Sequence, residues 1–593
     1  MAPTIQTATL NTSYPLYACD FDPQDANRLV VGGGGGATKS GVPNKISVLD
    51  ASHLETLQLV SEVDLSRDED SVTSLAVGPR RRNSIVLFTG INSSPAEIEK
   101  GKNEHFRVFA VDPSTKAKAT PKITELSRTG LFSHTELDAY QRVLRISPAF
   151  PDKAQIGAVA TGLAKKAEIA VFDVPSTGVA APKPRGTLEL PKEAVDLDII
   201  PTADSEYQLV YCDNYEIHRI TIGKKSIDGP HCAFTVPHDE IPRPSFRALR
   251  YLTPTFVLAA ANVPQGGGVV LQGFRLPKAE DGKDAKARLA ISKKLPKTVA
   301  RATGMAVRNL SPPSAPTTKY GDAQFVIAVA GSDSSISLYK LDHEAVGNIE
   351  LIANLNPITA LPSVHPGPIS GLAFSHFIPP KTPTMRVLHL KLASIGSIGN
   401  SCVVHALPLQ RLPERTSAAA RRAGPPRQPR YVLALKSHGP SPRGLFTALA
   451  LVILLMAIIG QGLIEVQGLG PSIIGARRVV PNSWLAKHAT PSGAAAGKHF
   501  LTDYLVGTKL ANDKVVVLDV DDDAQEVRVD THDEQLHGPA VEWNALPAEQ
   551  QDAWKEKLKR AGHWGEQMGE AVFKGVLFGE IAGAVGNAVR QGL

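Results

Sequence analysis

The sequence predicts an all-β chain, a seven-bladed WD-type β-propeller, followed by one transmembrane helix and a small luminal domain. Three observations predict it. Residues 5–408 are short β-type runs parted by clusters of Gly, Pro, Asn, Asp and Ser, with almost no 3.6-residue period. The runs gather in about seven groups of roughly four, at or somewhat above the 40–50-residue spacing of propeller repeats. One run of 21 residues, 444–464, then carries no charge at all.

The composition permits this plan. Of 593 residues, 42% are hydrophobic and 21% charged, which suits a chain that buries a core. The 49 glycines and 45 prolines fall well short of a low-complexity chain. A collagen-like, wholly disordered or polytopic membrane protein is excluded. Before the apolar run stand 51 basic and 40 acidic residues, and after it 13 and 18, so the two parts differ in sign. The basic excess is diffuse and has no interleaved aromatics, so no nucleic-acid partner is expected. Cys19, Cys212, Cys232 and Cys402 all precede the run and form no CxxC pair. Neither a zinc site nor a disulfide framework follows from them.

Along the chain, residues 4–10 would supply the outer strand that closes the last blade. Inner-strand candidates lie at 72–77, 142–147, 194–199 and 369–375. The clearest middle hairpin is 324–342, where Phe-Val-Ile-Ala-Val-Ala and Ile-Ser-Leu-Tyr-Lys-Leu flank the turn Gly-Ser-Asp-Ser-Ser. Weaker copies pair 158–162 with 167–173, 207–213 with 215–222, and 256–262 with 269–274. The propeller is thus placed at 1–408. Residues 409–443, rich in Arg, Pro, Ser and Ala, read as a basic flexible tether able to touch anionic headgroups.

Residues 444–464 would form a helix of about 31 Å, the thickness of a bilayer core. Ahead of it lie Arg411, Arg415, Arg421, Arg422, Arg427, Arg430, Lys436 and Arg443 against the single acid Glu414. Behind it Glu465 comes first, and Arg477 and Arg478 only later. Positive charge stays in the cytosol, so a single-pass type II topology with a cytosolic N-terminus is expected. No cleaved leader is expected from the opening Met-Ala-Pro-Thr-Ile-Gln. In the luminal part, 465–593, residues 515–520 and 526–529 read as a hairpin. Asp519, Asp521, Asp523 and Asp530 fall on calcium-loop spacing, but Ala524 stands where that loop needs glycine. A helix is expected after Pro547. Gly575, Gly579 and Gly583 suggest a second, close-packed one over 571–589.

The one local feature that stands apart is Val30-Val31-Gly32-Gly33-Gly34-Gly35-Gly36-Ala37-Thr38-Lys39-Ser40-Gly41-Val42-Pro43-Asn44-Lys45. As a phosphate loop it fails at Thr38, where glycine is required, and again downstream, where a strand replaces the helix. Two readings remain open. The loop projects and works through its backbone, with crowded carbonyls that suit a cation, or it is a plain hairpin connection.

At these residues the sequence resembles the Sec-twelve family of endoplasmic-reticulum guanine-nucleotide exchange factors. The whole plan matches it: propeller, basic tether, single span and luminal tail. The resemblance implies a protein of the endoplasmic-reticulum membrane that promotes GDP release from a Sar-type small GTPase. That step recruits other COPII assembly factors and begins transport to the Golgi. It implies that Gly32, Gly33, Gly34, Gly35 and Gly36 form the approach limb and that Val42, Pro43 and Asn44 form the contact tip. Lys39, Ser40 and Gly41 would turn their carbonyls to a potassium ion. Asp70 and Val72, in the turn Asp70-Ser71-Val72-Thr73, would line the same face. Some relatives have proline where Val72 stands. No bond-making chemistry is implied. The alternatives are a non-catalytic propeller scaffold in the same membrane, a nucleotide hydrolase, and a protein whose function lies in its luminal part.

Overall fold

In the computed structural model, residues 4–412 are described apart from 39, 82–83, 113–120, 176–181, 225, 240, 279–281, 283–284, 348 and 381–386. Also described are 430–435, 442–467, 473–475, 515–519, 527–531, 541–560 and 576–580. The chain divides into two compact units, Met1–Pro442 and Arg443–Leu593.

The first unit is a seven-bladed β-propeller. Blades 1 to 6 each follow sequence order from inner to outer strand, all antiparallel. Blade 1 comprises Leu16–Asp22, Asp25–Gly33, Lys45–Asp50 and Gln58–Asp64. Blade 7 takes three strands from 369–411, and Gln6–Asn11 supplies the fourth, pairing with Ser401–Ala406. The N-terminal strand expected to close the ring does so. The hairpins expected in blades 3 to 6 form as well. Ala323–Gly331 pairs with Ile336–Val346, and all nine residues of the former are buried. Burial on both faces is the lot of a middle strand between stacked blades. At its turn the Asp333 carboxylate accepts from the N–H (3.2 Å) and the hydroxyl (2.7 Å) of Ser335.

Two kinds of contact hold neighbouring blades together. Apolar clusters fill the space between them, as where Leu258, Ala260 and Leu271 of blade 5 meet Phe325, Ile327 and Leu341 of blade 6. Inner-strand aspartates also cross to the next inner strand. The Asp20 carboxylate accepts from Val77 N–H at 2.9 Å, Asp196 from Leu249 N–H at 3.0 Å, and Asp198 from Tyr251 N–H at 2.8 Å. All four cysteines are free thiols.

In this meander the turn from second to third strand and the join to the next blade fall on the same face. The glycine loop, 34–44, is therefore beside the join 65–73 that leads into blade 2. The segment expected to be a free tether is not free throughout. Tyr431–Leu433 returns and pairs with Leu409–Arg411. The reason is apolar: Tyr431 is 4% exposed, packs edge-on to Phe377 at 5.3 Å and joins the core of Leu407 and Leu409.

In the second unit, helix Pro442–Gln467 contains the apolar stretch Phe446–Val466, mean hydropathy 2.4, long enough to cross a membrane. Val515–Asp519 pairs antiparallel with Val527–Thr531, as the hairpin reading expects. The calcium-spaced Asp521 and Asp523 lie outside the described residues. The helix after Pro547 is Ala548–Arg560, with Trp554 and Leu558 buried. The expected close-packed helix at 571–589 is corrected. Val576–Glu580 is a strand, parallel to Val515–Asp519, and the rest of that stretch lies outside the described residues. Its Val-Leu-Phe sequence favours a pleated surface, which outweighs glycine spacing as a signal.

Candidate functional site

Strand Asp25–Gly33 is buried from Leu29 onwards, and the chain leaves it as glycines. Gly33 passes so close to the preceding linker that a Cβ would stand 1.9 Å from the Pro15 carbonyl oxygen. Gly34, at φ +144°, has the Asn44 side chain where its own would be: a Cβ there would lie 2.1 Å from Oδ1. The five glycines thus form a tightly packed stem. Gly32, Gly33, Gly34 and Gly36 are buried and Gly35 is half-buried.

Asn44 organises the loop. It is 0% exposed and uses both ends of its amide. Its Oδ1 accepts from Gly36 N–H at 2.9 Å, and its Nδ2 donates to the carbonyls of Ser66 (3.0 Å) and Glu69 (2.9 Å). Its own carbonyl accepts from Leu65 N–H at 2.8 Å. One buried side chain therefore ties the stem to the blade 1–blade 2 join. The structure places the residues of the expected contact tip, Val42, Pro43 and Asn44, at different depths. Val42 and Pro43 are half-buried and Asn44 is wholly internal, whereas Ala37, Thr38, Ser40 and Gly41 form the exposed apex. Polarity explains the placement: the amide pairs with three backbone groups, the Gly36 N–H among them buried.

Val72, expected to line the contact face, is 0% exposed and lies under Gly32, whose added Cβ would stand 2.8 Å from it. A β-branched hydrocarbon at that point belongs to the core between blades. Asp70 does reach the loop, with Oδ1 at 3.1 Å from a Cβ placed on Gly36. Burial pushes its carboxyl above the usual range, opposed by the Ser71 N–H at 2.7 Å.

Of the three residues expected to face potassium, Lys39 lies outside the described residues, and Ser40 and Gly41 stand at the apex. Donors around the turn are oxygen. The Gly35 carbonyl accepts from Thr38 Oγ1 at 2.7 Å, the Ser40 hydroxyl lies 3.1 Å from Thr38 Oγ1, and the Asp70 carboxylate is on the near side.

Glu69, Arg107 and Arg128, which sequence reasoning did not single out, complete the site. Glu69 Oε2 meets Arg107 Nη1 at 2.6 Å, and its Oε1 meets Arg128 Nη1 at 3.0 Å. Burial alone would raise the Glu69 carboxyl, but the two guanidinium groups prevail and hold it below the usual range. No local pattern in the sequence joins these three.

No family model matches the chain. Guanine nucleotide-exchange factor SEC12 of Candida glabrata is 32% identical over 143 residues, 21% of this chain. The chain covers 29% of that relative's length. Among solved structures, Chaetomium thermophilum Sqt1 aligns at 16% identity and TM-score 0.38, over 66% of this chain and 82% of its own. A chain of the COPII outer coat vertex on membranes aligns at 10% identity and TM-score 0.39, over 68% and 87%. At such scores these two likenesses have no bearing on function. The loop signature and the curated match agree on the family this chain resembles, that of the SEC12 guanine nucleotide-exchange factors.

Proposed function

We propose that this chain is a guanine-nucleotide exchange factor for a Sar-type small GTPase, acting from the endoplasmic-reticulum membrane to start COPII coat assembly. The observation that carries the reading is a short exposed apex on a stem whose polar groups are bonded internally. Ala37, Thr38, Ser40 and Gly41 present mostly backbone, which fits a narrow cleft, and half-buried Val42 and Pro43 form the flank. A stem already ordered by Asn44 leaves little conformational entropy to be lost on binding. In this reading Asn44 holds the loop, and the residues before it make the contact.

The mechanism is linkage. A factor that prefers the nucleotide-free GTPase weakens nucleotide binding by the coupling energy with which nucleotide weakens its own. Moving a nucleotide from nanomolar to micromolar affinity takes about 4 kcal/mol, which a few well-placed hydrogen bonds and one apolar contact can supply. A potassium ion at the turn, held by the carbonyls of Lys39, Ser40 and Gly41 with Asp70 nearby, would offset the crowding of carbonyl oxygens. The helix Pro442–Gln467 spans the bilayer in this reading, with the basic residues ahead of it on the cytosolic side.

The test is release of fluorescent GDP from a Sar-type GTPase with the full chain in liposomes, in potassium and then in sodium buffer. Accelerated release that weakens in sodium and drops sharply in Asn44→Ala is expected. Binding without acceleration would leave a membrane-anchored scaffold and overturn the reading.

A further inference from the structure

The loop is tied through Asn44 to two carbonyls of the 65–73 join, so its place depends on what fixes that join. Ser66, Arg67 and Asp68 are exposed, and backbone bonds secure the far end, from Asp70 N–H to the Asn92 carbonyl and from Thr73 N–H to that of Gly90. Between them Glu69 does two things at once. Its carbonyl receives the Asn44 amide, and its carboxylate bridges Arg107 and Arg128 of blade 2.

The two arginines are directly opposite each other on neighbouring strands, Phe106–Asp112 and Lys122–Thr129. Like charges in that relation repel. Arg107 is also 1% exposed, and its Nε and Nη2 have no hydrogen-bond partner among the described residues. Burying a guanidinium with donors unmet is costly, and a hydrocarbon there would serve blade packing better. What the pair does accomplish is to hold one carboxylate, that of the residue whose carbonyl carries the glycine loop.

We infer that Arg107 is a positioning residue for the glycine loop, acting through the Glu69 carboxylate, with Arg128 as the outer half of the same clamp. The inference rests on the exchange reading. It extends the site from blade 1 into blade 2: guanidinium pair, Glu69, Asn44, Gly36, apex. Glu69→Gln tests the charge alone, because the backbone carbonyl that Asn44 uses is retained.

The experiment titrates the full chain in liposomes against a fixed amount of GTPase loaded with fluorescent GDP. The variants are Arg107→Gln, Arg107→Lys, Glu69→Gln, Asn44→Ala and the double Arg107→Gln/Asn44→Ala. Arg107→Gln and Glu69→Gln should each lower the maximal release rate about tenfold while the half-saturating concentration stays within about threefold. Arg107→Lys should recover most of that loss. The double variant should be no slower than Asn44→Ala, because both changes break one chain of contacts. A wild-type maximal rate in Arg107→Gln, or losses that multiply in the double variant, would overturn the inference. Hydrogen exchange at the Gly36 amide reads the clamp without the GTPase. Protection should fall about tenfold in Arg107→Gln, and unchanged protection overturns the clamp. If the unmutated chain does not accelerate release, the exchange reading fails, while the Gly36 amide still decides whether Arg107 positions the loop.

Discussion

At the scale of single residues, the site depends on one amide. Asn44 supplies one acceptor and two donors to backbone groups, so the two obvious substitutions test different things. Asn44→Asp retains the acceptor for Gly36 but sets carboxylate oxygen against the carbonyls of Ser66 and Glu69. Each lost buried bond costs about 1–3 kcal/mol, and the new repulsion adds to it. Asn44→Asp should therefore lower the unfolding temperature at least as far as Asn44→Ala, which calorimetry can check. Glycines offer a matched contrast. Gly41 has φ +78° with no atom within 4 Å of a built Cβ, whereas Gly34 has no room at all. Gly41→Ala should cost only the left-handed strain of about 1–2 kcal/mol, and Gly34→Ala should remove most of the proposed GDP-release activity. The glycine run and its Asn44 were legible in the sequence. Their roles were not, because Ser66, Glu69 and Arg107 belong to distant strands and joins, and nothing local to residues 32–44 records them.

At the scale of elements, legibility follows periodicity. The middle hairpins could be read because buried β-branched runs and Asp-Ser or Gly turns recur where blades stack. The short returning strand Tyr431–Leu433 could not, because three residues in an Arg- and Pro-rich stretch establish no period. Strand Val576–Glu580 was obscured by glycines at helical spacing. Strand Ser401–Arg411 shows how the ends of the first unit share one edge: Gln6–Asn11 covers Ser401–Ala406, and Tyr431–Leu433 covers Leu409–Arg411. Removing residues 1–11 would leave six positions of backbone unpaired at that edge. The truncated chain should lose cooperative urea unfolding and be cut by protease within blade 7 before any other blade.

At the scale of the whole molecule, buried histidines set the response to acid. Burial lowers His105, His365 and His405 to about 4, and holds His376 well below its ordinary value. Unfolded, they take up a proton near pH 6.5. Because the folded values are depressed, their stabilisation is complete above pH 6.5 and is lost as pH falls towards 4. For the first three this is on the order of 2 kcal/mol each between pH 7 and pH 5. Asp20, Asp70 and Asp198, raised by burial, act in the opposite sense but are fewer. The propeller should melt at a lower temperature at pH 5 than at pH 7, and an unchanged or higher value would contradict these assignments.

Closure by the first strand also imposes an order in time. During synthesis, residues 6–11 emerge long before their partners at 401–406, which are among the last of the ring to be made. Six blades can stack while the seventh waits with an open edge, as long-range pairing requires. About thirty residues later the apolar helix begins, a few seconds at roughly 5–20 residues per second. The ring is thus completed almost as the helix appears, and any delay in closing leaves an unfinished blade and an apolar segment exposed together. A newly made chain is therefore most in need of a chaperone at that moment.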